Sequence, residues 1–120
     1  YTKWMNEIAQ ALRYVHLMGI FHGDVKPNNI LLDPTDVVKL ADFGLSSMAI
    51  IDGYTVNSRV GTSRYMAPEQ HAGQELDFEG RKNCDIWSYG IVLWEMITCR
   101  EPFSGIDDDR IPLIIKANSQ

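Results

Sequence analysis

The stretch from His22 to Asn29, HGDVKPNN, holds the densest cluster of chemically able side chains in this chain of 120 residues. It places a carboxylate at Asp24, a cation at Lys26 and a side-chain amide at Asn29 close together. Each of these residue types is common in surface turns when it occurs alone. The ordered string, rather than any single residue, therefore points to a site.

The residues before this stretch predict a helix. Between Thr2 and Met18, apolar residues recur at spacings of three and four, which places them on one helical face. These residues are Met5, Ile8, Leu12 and Val15. Gly19 follows as a stop signal, and residues 20–29, with their Gly and Pro, are predicted to be a loop.

The residues after it predict a β-hairpin. Two apolar runs, Ile30–Leu32 and Val37–Leu40, are separated by turn-forming residues at Asp33–Asp36. Asn29 lies just before this hairpin, and Asp42, which opens an Asp-Phe-Gly motif, lies just after it. Because the two ends of a hairpin lie side by side, we expect Asn29 and Asp42 to converge on one point.

The second half of the chain reads as a long irregular stretch followed by one apolar helix. Residues 41–83 show little hydrophobic period and contain several glycines. Asp85–Thr98 is apolar on nearly every side, which predicts a helix buried all round. A last apolar run covers Ile111–Ile115, and Cys84 and Cys99 are expected to be small core side chains.

Composition bounds the class of protein. Eleven Lys and Arg against sixteen Asp and Glu give a net charge of −5, which argues against a nucleic-acid partner. Hydrophobic residues make up 45% of the chain, enough for one packed unit over residues 1–120. The absence of a Cys-x-x-Cys pair suits a reducing compartment. With no apolar run long enough to span a membrane, we expect a cytoplasmic protein.

Residues 24–42 supply the parts that phosphoryl transfer needs. These are a carboxylate to orient a hydroxyl, a cation for the phosphoryl group and oxygen ligands for a metal. Asn29 and Asp42 suit Mg²⁺, which takes few protein ligands and keeps waters and substrate phosphates in its shell. From the residues alone, a surface loop rich in turn formers stays the alternative.

Four motifs in this order resemble eukaryotic protein kinases. They are the catalytic loop His22–Asn29, the metal-binding motif Asp42-Phe43-Gly44, the end of the activation segment Ala67-Pro68-Glu69, and the central buried helix at Asp85–Gly90. The resemblance covers the whole chain. It implies an α-rich α+β fold, the partial C-terminal lobe of a protein kinase, with helices and a short β-hairpin near the catalytic loop.

The resemblance also implies roles for individual residues. Asp24 would orient the substrate hydroxyl, and Lys26 would neutralise charge on the transferred phosphoryl group. Asn29 and Asp42 would hold the Mg²⁺ ions that bridge the phosphates of ATP. Leu31 would lie under the adenine ring of the nucleotide.

The resemblance further indicates a kinase for protein serine and threonine. Lys26-Pro27 is similar to the serine/threonine-specific loop, and Thr62 looks like the threonine that bridges Asp24 and Lys26 in such enzymes. Residues 87–95, however, are similar to tyrosine-kinase helices. This mixture is typical of the tyrosine-kinase-like branch of serine/threonine kinases.

Supporting residues have both a kinase role and a plain structural alternative. By resemblance, Asp85 braces the backbone of the catalytic loop, although it could simply cap a helix. His22 and Phe43 would stack in an apolar spine. Val92 and Met96 would support the floor beneath Leu31, and all three could instead be ordinary core residues. His16 and His71 have no metal spacing and are expected to be ordinary.

Two departures from the family pattern leave other functions open. Gly23 stands where most of these enzymes have an arginine that pairs with an activation-segment phosphate, which favours a pseudokinase or scaffold as the alternative. A small-molecule phosphotransferase of related fold is a weaker third reading. The chain also lacks a Gly-rich loop and a strand lysine, so we expect the N-terminal lobe and the last helices of the C-terminal lobe to be absent. Such a fragment is predicted to be inactive alone and to self-associate through exposed apolar surface.

Overall fold

The computed structural model describes residues 2–41, 47–48 and 63–118 of the chain. The first helix, α1, spans Thr2–Leu17. Its predicted apolar face packs inward, with Ile8 and Leu12 fully buried. The helix ends before Gly19, whose positive φ of 79° is the conformation that a glycine stop supplies. The prediction of this helix is confirmed.

A short strand follows α1 where the sequence predicted only loop. Ile20–Phe21 forms β1, and Pro27–Asn29 forms a 3-10 turn. The strand pairs antiparallel with Ser47–Met48. A two-residue strand has no alternation to detect, and its partner lies far along the chain. The loop prediction for residues 20–29 was therefore wrong at both ends.

The predicted hairpin is present. Strands β2 at Ile30–Leu32 and β3 at Val38–Leu40 pair antiparallel, with Ile30 opposite Leu40. Asp33 closes the turn between them, because its Oδ1 accepts hydrogen bonds from the backbone N–H groups of Thr35 and Val37. The hydrogen bond from the side-chain hydroxyl of Thr35, followed by the bond from the N–H of Val37, lowers the pKa of Asp33. Ser47–Met48 is the fourth strand, β4.

The second half of the chain contains more helix than predicted. The described elements are a 3-10 turn at Ser63–Tyr65, α2 at Pro68–His71, α3 at Phe78–Thr98, a 3-10 turn at Asp108–Arg110, and α4 at Ile111–Asn118. Helix α3 begins seven residues before Asp85, and Asp77 caps it by accepting a hydrogen bond from the backbone N–H of Gly80. The alternative that Asp85 is the cap was wrong, since Asp85 lies inside the helix.

One apolar core joins α1, the hairpin, the catalytic loop and α3. Its buried members are Ile8, Leu12, Val25, Val38 and Val92. Val25 is the important one for the site, because it lies between Asp24 and Lys26 and inserts into the core. The prediction that Val92 is a core residue is confirmed. Met96 is half-buried and packs against the same cluster.

Helix α3 is not buried all round by the described residues. It exposes the apolar side chains of Ile86, Trp87, Trp94 and Ile97. Cys84 is buried as predicted, whereas Cys99 is exposed in the left-handed conformation that ends the helix, so the core prediction for Cys99 was wrong. The sequence shows correctly that residues 85–98 are apolar on most sides, but it does not show which of those sides are covered by neighbours. In the described part of the chain, no helix is both long enough and apolar enough to cross a membrane.

Candidate active site

Three of the four residues predicted to converge do so. The ammonium Nζ of Lys26 lies 3.4 Å from Oδ2 of Asp24. Asn29 donates from Nδ2 to the backbone carbonyl of Asp24 at 2.8 Å and to its Oδ2 at 3.4 Å. The fourth residue, Asp42, lies outside the described residues, as do Phe43 and Thr62.

Local structure explains why these side chains meet. Val25 is anchored in the core, so its neighbours Asp24 and Lys26 project on the other side of the backbone. Pro27 then starts a 3-10 turn, which its fixed φ favours. The turn closes with a bond from the N–H of Asn29 to the carbonyl of Lys26, and this bond carries Asn29 back toward Asp24.

The catalytic loop is held from inside α3 by Asp85. One carboxylate oxygen, Oδ2, accepts the backbone N–H of His22 at 2.8 Å, and the other, Oδ1, accepts the N–H of Gly23 at 2.9 Å. The predicted brace is confirmed. His16 was expected to be ordinary, yet its Nε2 also lies 2.8 Å from Oδ2 of Asp85. Asp85, itself on α3, therefore links α1 and the loop to α3 through one carboxylate group.

His22 connects Asp24 to the segment that leads to residue 42. The His22 ring is fully buried. Its Nδ1 accepts the backbone N–H of Asp24 at 3.0 Å. The other ring nitrogen, Nε2, donates to the carbonyl of Ala41 at 2.7 Å. With one nitrogen accepting and the other donating, the ring fixes the start of the catalytic loop against the end of the hairpin.

Gly23 has a positive φ of 90°, a conformation that L side chains rarely adopt. Its N–H is one of the two that Asp85 accepts. The loop therefore turns sharply at the position just before Asp24. Glycine fits this turn without strain, although it supplies no guanidinium.

Asn29 can serve as a metal ligand in the predicted way. Its side chain is part of a residue only 5% exposed, and its Nδ2 is engaged by Asp24. Its Oδ1 receives no hydrogen bond from the described residues, which leaves a buried oxygen of the kind Mg²⁺ prefers. Among residues 2–41, 47–48 and 63–118, no three His, Cys, Asp or Glu side chains cluster to form a metal site.

Leu31 is 51% exposed, so the core alternative for this residue was wrong. Its neighbours Ile30 and Leu32 face the other way and line an apolar cleft of about 220 Å³, together with Val92 and Met96. Val92 and Met96 thus lie beneath the strand that carries Leu31. Contact between Leu31 and an adenine ring stays a prediction.

The segment at Ser63–Tyr65 is fixed to the two helices that follow it. The carbonyl of Ser63 lies 3.0 Å from Nε2 of His71, the second histidine that was expected to be ordinary. Ser88 Oγ donates to the carbonyl of Tyr65, and Tyr65 donates its hydroxyl to Glu95 at 2.7 Å. Burial and the bond to Glu95 raise the pKa of Tyr65. Sequence reasoning missed these contacts. Two of the three are made to backbone carbonyls, which leave no motif, and the third joins side chains far apart in the chain.

Comparison with known proteins agrees with this geometry. A family model described as the protein kinase domain matches residues 1–119. Among similar proteins, a putative protein kinase C delta type homolog of Drosophila melanogaster is 40% identical over 88% of this chain, and the match covers 15% of that protein. Mitogen-activated protein kinase kinase kinase 13-A of Xenopus laevis is 38% identical over 98% of this chain and is covered over 12% of its length. Ribosomal protein S6 kinase 2 beta of the same species is 41% identical over 95% of this chain and is covered over 18%.

The chain belongs to the protein kinase domain family. It spans less than a fifth of the length of these relatives. The resemblance to protein kinases, with relatives of the serine/threonine type, and the α-rich α+β fold of a partial kinase lobe are thereby confirmed.

Proposed function

We propose that residues 1–120 form part of the kinase domain of an ATP-dependent protein serine/threonine kinase that uses Mg²⁺. The observation that carries this proposal is the meeting of Asp24, Lys26 and Asn29 on a loop held rigidly by Asp85. An ordinary surface loop rich in turn-forming residues is not expected to be held by a buried carboxylate. The family match supports the same activity.

In the proposed reaction, Asp24 accepts a hydrogen bond from the hydroxyl of a substrate serine or threonine and orients its oxygen. The bond from that oxygen to the γ-phosphorus of ATP forms as the bond between the γ-phosphorus and the β,γ-bridging oxygen breaks. The hydroxyl proton passes to Asp24, and ADP leaves. Lys26, 3.4 Å from Asp24, neutralises the charge of the transferred phosphoryl group.

The remaining site residues are assigned in the same proposal. Asn29 and Asp42 would hold Mg²⁺, which, when bound, draws charge away from the ATP phosphates. Leu31 would contact the adenine, and Thr62 would bridge Asp24 and Lys26. The exposure of Leu31 supports its assignment. The free thiols of Cys84 and Cys99 suit the proposed cytoplasmic location, and the match to a mitogen-activated protein kinase kinase kinase supports the proposed tyrosine-kinase-like branch.

The test is phosphate transfer by the full-length protein. With ATP and Mg²⁺, it should phosphorylate serine or threonine in a peptide library, and Asp24→Asn should lower kcat at least about a hundredfold, because the amide cannot take the proton. Asp36→Asn is the matched control. Asp36 is exposed on the hairpin turn with a positive φ that asparagine tolerates, so activity should be unchanged.

The second candidate is a pseudokinase or scaffold, which Gly23 favours by supplying no arginine before Asp24. A folded full-length protein that binds nucleotide but transfers no phosphate to any peptide would establish this alternative. Equal activity of the Asp24→Asn variant and the unmutated protein would contradict the assignment of Asp24.

A further inference from the structure

The guanidinium of Arg64 binds several backbone and side-chain oxygens between α3 and α4. Its Nη1 donates to the carbonyls of Pro102 at 2.9 Å and Phe103 at 2.7 Å. Its Nη2 donates to the carbonyl of Ile106 at 2.8 Å. One guanidinium thus binds three carbonyls of the loop between α3 and α4.

Two carboxylates flank the same guanidinium. Nε lies 3.1 Å from Glu101, and Nη2 lies 3.3 Å from Asp108. These carboxylate side chains are 59% and 74% exposed, whereas that of Arg64 is 18% exposed. Water screens exposed ion pairs strongly. The three carbonyl bonds, rather than the two ion pairs, therefore hold the loop.

The loop is shaped to present its carbonyls to one point. Phe103 and Gly105 both have positive φ, at 55° and 80°, and the N–H of Ile106 donates to the carbonyl of Phe103 at 3.1 Å. The planar guanidinium fork, with N–H groups in fixed and spread directions, matches oxygens arranged in this way. A lysine would keep the charge but lose this geometry.

The neighbours of Arg64 are fixed on the other side. Tyr65 is tied to α3 through Ser88 and Glu95, and Ser88 lies one helical turn after Asp85, which holds the catalytic loop. Adjacent turns of α3 therefore hold the catalytic loop and the Ser63–Tyr65 segment side by side. Arg64 extends this surface by joining the segment to the loop at 101–106.

We propose that Arg64 is a positioning residue for the acceptor peptide. It holds the loop at 101–106 beside the Ser63–Tyr65 segment, so that the two form adjoining walls of one surface next to Asp24. This inference rests on the proposed kinase function. When the loop at 101–106 is displaced, the peptide binds more weakly. ATP binds at a different part of the site, so its affinity is unchanged.

The test is a comparison of kinetic constants in the full-length protein. In Arg64→Lys, we expect the KM for peptide to rise on the order of tenfold, as for loss of one charge-assisted hydrogen bond, while the KM for ATP stays unchanged. Arg100→Ala is the matched control. This arginine lies just before the loop and is exposed, so removing it should alter neither constant.

A second variant disturbs the loop without touching Arg64. Gly105→Ala places a side chain in open space but at a φ that alanine adopts only with strain, so the loop should shift and the peptide KM should rise. Its control is Gly90→Ala, which also meets nothing but lies in helix α3 and should leave the peptide KM unchanged. This pair keeps the test available if Arg64 variants do not fold.

Each outcome decides one claim. An unchanged peptide KM in both Arg64→Lys and Gly105→Ala overturns the inference and leaves the proposed function standing. Equal rises in the KM values for peptide and ATP also overturn it, because they indicate general loosening. Absence of any transfer by the unmutated protein overturns the proposed function, and this inference falls with it.

Discussion

The catalytic loop and the loop at 101–106 are both held by single charged residues, but of opposite sign and in different surroundings. The catalytic loop offers two backbone N–H groups, which the buried carboxylate of Asp85 accepts, with only 2% of its side chain exposed. The loop after α3 offers carbonyls, which the cation Arg64 binds at the edge of the fold. The backbone groups that an irregular segment presents decide the sign of the charge that holds it. N–H groups are held by an anion, and carbonyls are held by a cation.

The largest effect expected from this comparison is the loss of Asp85. In Asp85→Ala, two backbone N–H groups and His16 lose their buried acceptor, so the free energy of unfolding should fall by about 3–5 kcal/mol. Urea unfolding followed by circular dichroism measures this fall. Asp109→Ala, which removes an exposed carboxylate, should change it by less than about 0.5 kcal/mol. Similar losses in the two variants would contradict the anchoring role of Asp85.

The next effect concerns Tyr65, which ties the Ser63–Tyr65 segment to α3. Tyr65→Phe removes only the hydroxyl that donates to Glu95, so we expect a fall of about 1–2 kcal/mol in the free energy of unfolding. Glu95 is half-buried and regains water on its free side, which limits the loss. Tyr14→Phe is the control, because Tyr14 is exposed on α1 and its loss should have no effect. A neutral Tyr65→Phe would show that Ser88 and His71 hold the segment without the Tyr65 hydroxyl.

The two cysteines provide a further comparison between a buried and an exposed side chain, in the pKa and the reactivity of their thiols. Burial, followed by the contact with Glu69, raises the pKa of the Cys84 thiol to about 12. In the unfolded chain the pKa of this thiol is 9.0. The stability that the raised pKa contributes is therefore fully present below pH 9 and is lost as the pH rises toward 12. In the folded protein, iodoacetamide should modify the exposed Cys99 and spare Cys84. Modification of both at equal rates, read by mass spectrometry, would contradict this.

The smallest effect is expected at the exposed partners of Arg64. Glu101→Gln removes one ion pair whose carboxylate is mostly in water, so the free energy of unfolding should change by less than about 0.5 kcal/mol. The same urea titration measures it. A loss as large as that of Tyr65→Phe would mean that the ion pair, and not the carbonyl bonds, holds the loop.

Helix α1 and the hairpin were predictable because their signals are local. The spacing from Met5 to Val15 defines one buried face, and Asp33 lies where a turn needs its carboxylate. The meeting of Asp24 with Asn29 was also predictable, since a single proline turn joins them. These contacts span only a few residues, and their geometry follows from the residue types.

The contacts of α3 were harder to predict. Its first turns, residues 78–84, are polar and lack an apolar period, so the helix appeared to begin at Asp85. His16 lies 69 residues from Asp85, and no spacing rule connects them. Arg64 binds backbone carbonyls, which every residue has, and its role therefore has no sequence signature.

The apolar cleft beneath the hairpin gives the protein an optical probe of its own. Trp4, half-buried, lines this cleft, whereas Trp87 and Trp94 are exposed. An indole in apolar surroundings emits at shorter wavelength than one in water, so the Trp4 emission can be separated from that of the other two. Any side chain or small molecule that fills the cleft next to Ile30 and Leu32 should be detectable by fluorescence, without a label.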